Sequence, residues 1–147
     1  MSKIYMVEFH RFYYFDKLDQ EAVEDRYTVG YFSTNELAEN AIHKCICESG
    51  YPEKEFQIIE YDLNISKNQK YLYILNYEFS VLNGAGEYED FYYKYSPCTN
   101  VKKCIELKQF LIHNKMINIK ENAIYDVSED GFYIDKIKID FVNVVYL

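Results

Sequence analysis

A chain of 147 residues, 49% hydrophobic and 27% charged, has the composition of one globular domain or of two small halves sharing a core. Its formal net charge of −8 lies mostly in the first half, where residues 1–64 carry 13 acidic and 6 basic side chains. That imbalance disfavours direct contact with nucleic-acid phosphates or an anionic membrane there, and favours a protein partner with a basic surface.

No apolar run approaches the roughly 18 residues of a spanning helix. Met1-Ser2-Lys3-Ile4 leads straight into strand-like sequence without a signal peptide's hydrophobic stretch, so a cytoplasmic protein is expected. The cysteines, Cys45, Cys47, Cys98 and Cys104, form no C-x-x-C pair and read as buried or half-buried free thiols. Seventeen Tyr and ten Phe with no Trp favour strands.

Ile4 to Phe9 opens as a strand, and the chain stays aromatic through Phe12, Tyr13, Tyr14 and Phe15. An acidic connector follows from Asp16 to Asp25, holding Asp16, Asp19, Glu21, Glu24 and Asp25. Arg26 to Tyr31 resumes strand character and pairs most economically antiparallel to the first strand. Ser33 then reads as a helix N-cap with Glu36 reaching back in a capping box, and Phe32 and Leu37 as a hydrophobic staple. Leu37, Ala38, Ala41, Ile42, Cys45 and Ile46 form one apolar stripe. The helix stops at Gly50, with Pro52 beyond it. Phe56 to Leu63 is a third strand, and Asn64 to Lys70 a polar linker.

From Lys70 the pattern repeats. Leu72-Tyr73-Ile74-Leu75 answers Ile4-Tyr5-Met6-Val7, and Asn83-Gly84-Ala85-Gly86 is a turn ahead of a second hairpin arm at Glu89–Tyr95. Cys98-Thr99-Asn100 aligns with Phe32-Ser33-Thr34, and Cys104, Leu107, Leu111 and Ile112 with Ala38, Ala41, Cys45 and Ile46. Phe132, Ile134, Ile137 and Ile139 repeat the spacing of Phe56, Ile58, Tyr61 and Leu63, and the step of three inside it suggests a bulge. Phe141 to Leu147 is an apolar tail without a counterpart. It either continues the last strand, the preferred reading, or packs on a second copy as a homodimer contact.

The expected fold is therefore α+β: two tandem β-β-α-β repeats, residues 1–64 and 65–147. They would form one mainly antiparallel sheet with two helices packed on one face.

The chemistry-bearing motifs are sparse. His10 sits among aromatics near Glu8, while His43 and His113 fall on helix surfaces. Asp126 to Gly131 imitates half a calcium loop, but Ile137 stands where the closing Glu belongs, so it reads as a turn. No dinucleotide loop, P-loop or nucleophile elbow occurs. Neither enzymatic activity nor a cofactor or metal is expected. Lys102, Lys103 and Lys108 make a modest basic strip without the aromatic stacking of a nucleic-acid surface.

Two stretches, Gly30-Tyr31-Phe32-Ser33-Thr34-Asn35-Glu36-Leu37-Ala38-Glu39-Asn40-Ala41-Ile42 and Gly50-Tyr51 with Phe56-Gln57-Ile58-Ile59-Glu60-Tyr61-Asp62-Leu63, carry a family resemblance. They resemble a small uncharacterised bacterial and phage domain family. The likeness covers residues 4–64, and reaches the second copy only through the internal repeat. It implies a bacterial or mobile-element origin and brings no active residues.

These readings lead to an interaction protein that neutralises an effector or a defence complex, such as an immunity protein or an anti-CRISPR-type inhibitor. Asp16, Asp19, Glu21, Glu24 and Asp25 would draw in a basic partner, with Phe12, Tyr13 and Tyr14 as anchors. The alternatives are a small-ligand (nucleotide) binding or sequestering protein and an acidic mimic of nucleic acid.

Overall fold

The computed structural model describes residues 2–14, 22–50, 53–82, 84–114 and 131–143. For residues 11–14, 22–25, 54, 81, 82, 89 and 91 it gives the backbone only. The chain divides into two compact units. Unit 1 comprises Met1–Lys70 with Lys138–Leu147, and unit 2 comprises Tyr71–Ile137. The division into units falls after residue 70, and residues 138–147 are counted with the first unit.

Unit 1 contains β1 (Lys3–Tyr14), β2 (Ala22–Phe32), α1 (Asn35–Ser49), a single 3-10 turn (Glu53–Glu55) and β3 (Phe56–Asp62). Unit 2 contains β4 (Tyr71–Leu82), β5 (Tyr88–Lys94), α2 (Val101–Asn114) and β6 (Phe132–Lys138). The α+β class and the paired β-β-α-β order are as expected. The six strands, however, make two three-stranded sheets, ordered β2-β1-β3 and β5-β4-β6, rather than one sheet of six. One reason is visible at β2, whose outer carbonyls are already taken. Val29 O accepts from the Asn143 N–H and Tyr31 O from the Asp140 N–H, both at 2.8 Å. Residues 140–143 therefore leave β6 and cover an edge of unit 1, instead of prolonging the last strand.

Each sheet has its first strand in the middle. In unit 1, β2 and β3 both run antiparallel to β1, so the chain must cross β1 to get from one flank to the other. An α-helix is the compact way to make such a crossing while burying an apolar face. Ala38, Ala41, Ile42 and Cys45 of α1 accordingly pack with Val7, Phe9, Val29, Phe32 and Phe56. In unit 2, Cys104 and Leu111 of α2 pack with Leu75, and Phe132 and Ile134 close around them. An aromatic pair recurs at equivalent places: Phe9–Phe56 with ring centroids 5.2 Å apart and Tyr77–Phe132 at 4.2 Å. Such pairs add about 0.5–1.5 kcal/mol beyond their area burial.

Three local expectations are corrected. The N-cap of α1 is Thr34, whose hydroxyl accepts the Leu37 N–H at 3.1 Å, so Ser33 and Glu36 form no capping box. Leu37, proposed as staple and stripe residue, is 40% exposed, because a helix starting at Asn35 turns it away from the sheet. The bulge is not in β3, whose register on β1 runs unbroken from Lys3↔Asp62 to Phe9↔Phe56. It lies in the hairpin instead, where Val7 faces Gly30 and Glu8 faces Thr28, skipping Val29. The two-three-two spacing in β3 has another cause: Ile58 and Ile59 are both half-buried, so apolar residues occur on both faces. The same burial pattern follows the first residue of β6.

Gly50 does end α1, with φ 76 and its N–H donated to Ile46 O. Among the described residues no helix is long and apolar enough to cross a membrane.

Candidate functional site

Of the residues expected to meet a partner, Asp16, Asp19 and Glu21 lie outside the described residues. The others fall on one hairpin. β1 and β2 pair Phe12 with Glu24, Tyr13 with Val23 and Tyr14 with Ala22, and Arg11 with Asp25 beneath them. Ala22 to Asp25 are thus strand rather than connector. The β1–β3 ladder ends at Phe9↔Phe56, whereas the β1–β2 ladder runs on from His10↔Arg26 to Tyr14↔Ala22. The aromatic run and part of the acidic segment therefore share a two-stranded arm that outreaches β3.

At the root of the arm Glu8 is 9% exposed, a costly place for a carboxylate without a partner. Arg26 supplies one, its Nε 3.2 Å from Glu8 Oε1. The charge of the same carboxylate acts on Tyr61 of β3. Burial raises its phenol first, and the Glu8 charge raises it further.

Unit 2 repeats this arrangement with different chemistry. Aligning Leu72–Leu75 on Ile4–Val7 places Asn76 on Glu8, and Asn76 is fully buried. Its Nδ2 donates to Ile74 O at 3.1 Å and to Asp135 Oδ2 at 3.0 Å, and its Oδ1 accepts the Tyr92 hydroxyl at 2.7 Å. Both donors and the acceptor of the amide are used, which is the condition for holding it in a core. Tyr92 is pushed well above the usual phenol range by burial and then by its hydrogen bond with Tyr133. It is thus a neutral donor at physiological pH. Further along the β4–β5 hairpin, Ser80 donates to Asp90. Glu78, Phe79, Ser80, Asp90 and Tyr92 line an open pocket of ≈ 350 Å³. Its carboxylates suit a ligand group that donates hydrogen bonds or carries positive charge.

A second open pocket, ≈ 370 Å³, lies in unit 1 between Ser2, Lys3, Ser33, the 65–69 segment and Asp140. Its central contact is a clamp: Asp140 Oδ1 accepts the Ser33 N–H at 2.7 Å and Oδ2 accepts the Ser33 hydroxyl at 2.8 Å. The serine hydroxyl is held as a donor there, an arrangement that fixes a turn.

The remaining candidates are less engaged. His43 and His113 are exposed on their helices, and His10 is half-buried in β1 opposite Arg26. Cys45 and Cys104 are buried and Cys98 half-buried, but Cys47 is exposed, because its position on α1 turns away from the sheet. Among the described residues no group of three or more His, Cys, Asp or Glu side chains is placed to hold a metal ion. The calcium-loop look-alike lies outside the described residues up to Asp130. Asn76, Tyr92, Tyr133, Asp135 and Asp140 were not singled out from the sequence. The alternation Ile4, Met6, Glu8 and Leu72, Ile74, Asn76 did carry a signal, a polar residue on an apolar face twice at one repeat position. Comparison with known proteins found no matching family model, no matching curated protein and no matching solved structure.

Proposed function

We propose that this chain is a non-enzymatic interaction protein, of the inhibitor or immunity type, that binds a partner with a basic surface through its β1–β2 arm. The observation that supports the reading most is the arm's register. It joins Phe12, Tyr13 and Tyr14 to Ala22–Asp25 in a ribbon longer than the sheet that bears it. Aromatic anchors beside charge are the usual composition of a binding hot spot. Negative charge accelerates encounter with a basic partner, and the desolvated contacts then set the residence time. The acceptor-rich pocket at Glu78, Ser80 and Asp90 gives unit 2 the same electrostatic preference. The resemblance read in residues 4–64 would give the chain a bacterial or mobile-element origin, a setting that suits an inhibitor or immunity protein.

The test starts with affinity capture from a bacterial lysate, followed by binding measurements on the purified partner across a salt series. Reversal of Glu24→Lys with Asp25→Lys is expected to weaken binding about tenfold or more and to flatten its salt dependence. Unchanged affinity and an unchanged salt slope would remove the arm from the interface.

A further inference from the structure

We infer that Cys98 and Cys104 form a redox pair, in which Cys98 is oxidised first and Cys104 resolves it to an intramolecular disulfide. The inference rests on where the repeat puts the two side chains. Cys98 forms an antiparallel bridge to Tyr73, with Cys98 N–H donated to Tyr73 O at 2.8 Å and Tyr73 N–H to Cys98 O at 3.0 Å. Two residues later Asn100 caps α2, its Oδ1 accepting the Lys103 N–H at 2.9 Å. Cys104 lies in the second turn of α2, fully buried, and Cys98 packs against the cluster it belongs to.

Unit 1 shows what this position requires. The counterpart of the Tyr73–Cys98 bridge is the Tyr5↔Phe32 rung, and the counterparts of the cysteines are Phe32 and Ala38, which pack together in the first core. A bridge residue thus reaches the helix residue six positions on in both copies. Unit 1 fills the contact with a ring against a methyl group, and unit 2 with two sulfur atoms. Cys98 packs against the cluster that holds Cys104, and the Cys98 thiol is directed to Ser96 O at 3.8 Å.

The roles follow from burial. Cys104 is fully buried, and burial first and then Cys98 push its thiol up to about 12, so it is the slower of the two to react with an oxidant. Cys98 is half-buried and reachable. With a peroxide as oxidant, the Cys98 sulfur attacks one peroxide oxygen while its proton passes to the other. The O–O bond breaks, the second oxygen leaves as water or alcohol, and Cys98 becomes a sulfenic acid. The Cys104 sulfur then attacks the Cys98 sulfur. The S–S bond forms, the S–O bond breaks, and the Cys104 proton leaves with the hydroxyl as water. The two electrons removed from the thiols end on the peroxide oxygens. A dithiol reductant reverses the step by exchange.

The test uses the full chain, treated with a slight excess of hydrogen peroxide under native conditions and then alkylated. Peptide mass spectrometry locates the two lost hydrogens. A Cys98–Cys104 linkage within one molecule is expected, with Cys45 and Cys47 still alkylated and full reversal by dithiothreitol. Cys104→Ala, which installs the residue that unit 1 carries there, is expected to leave Cys98 as a sulfenic acid trappable by dimedone. Cys98→Ser is expected to abolish the linkage. The inference is overturned if Cys98 goes on to sulfinic acid while Cys104 stays reduced, if oxidation begins at Cys45 or Cys47, or if the linkage joins two molecules. Because the linkage is mapped on the unaltered chain, a variant that fails to fold does not leave the question open.

Discussion

Asp140 holds a φ of 60, in the left-handed region that few residues other than glycine adopt. Aspartate tolerates it better than most, and here its carboxylate takes both the N–H and the hydroxyl of Ser33. Asp140→Ala removes both acceptors and leaves a side chain poorly suited to that backbone. A loss of about 1–2 kcal/mol in denaturant unfolding is expected, with Asp140→Asn milder because it keeps one acceptor. Gly30 is a second such point. A Cβ there would lie 2.5 Å from the Phe141 carbonyl oxygen and 3.0 Å from the Phe32 ring. Gly30→Ala must push residues 140–143 away from β2, at a cost of about 1–3 kcal/mol. Hydrogen exchange at the Asn143 amide should accelerate more than at the Met6 amide in the central strand. Neither point was legible beforehand, since Ser33 and Asp140 stand 107 residues apart and a local reading gave Ser33 to the nearest helix.

The helices, by contrast, were largely legible, because stripe, cap and stop are local. The repeat alignment put Thr34 opposite Asn100, and both prove to be the N-caps, accepting from Leu37 and Lys103 at the same helical position. Thr34→Ala and Asn100→Ala are each expected to cost about 1 kcal/mol. Ser33→Ala should leave the helix content by circular dichroism unchanged, since its hydroxyl serves Asp140. The strands were found for the same reason, by local pattern. Their bulge was misplaced because apolar residues on both faces of β3 mimic an inserted residue. Strand partners beyond the hairpins depend on distant carbonyls, and no local pattern reports which edge is already covered.

At the scale of the whole chain, the repeat was legible and the division of the sheet was not. Each unit closes around its own first strand, and unit 1 further recruits residues from beyond unit 2. Removing residues 138–147 is therefore expected to deprotect the Ser33 amide, which donates to Asp140, in hydrogen exchange well before the amides of β4. Equal loss in both units would show that the segment serves something more general than the β2 edge. The candidate site was half legible: composition and charge indicated the β1–β2 arm, while Asn76 and its tyrosines emerged only when the strands were paired.

That unit 1 is built from two separated stretches has a consequence for how the protein is made. On the ribosome, β1, β2, α1 and β3 emerge first, with the helix able to cap itself at Thr34 at once. The carbonyls of Val29 and Tyr31 and the N–H of Ser33 still wait, because their partners are encoded after all of unit 2. Domains ordinarily finish folding in the order they are synthesised. Here the unit begun first is completed last, so its exposed β2 edge must stay soluble throughout the synthesis of β4, β5, α2 and β6.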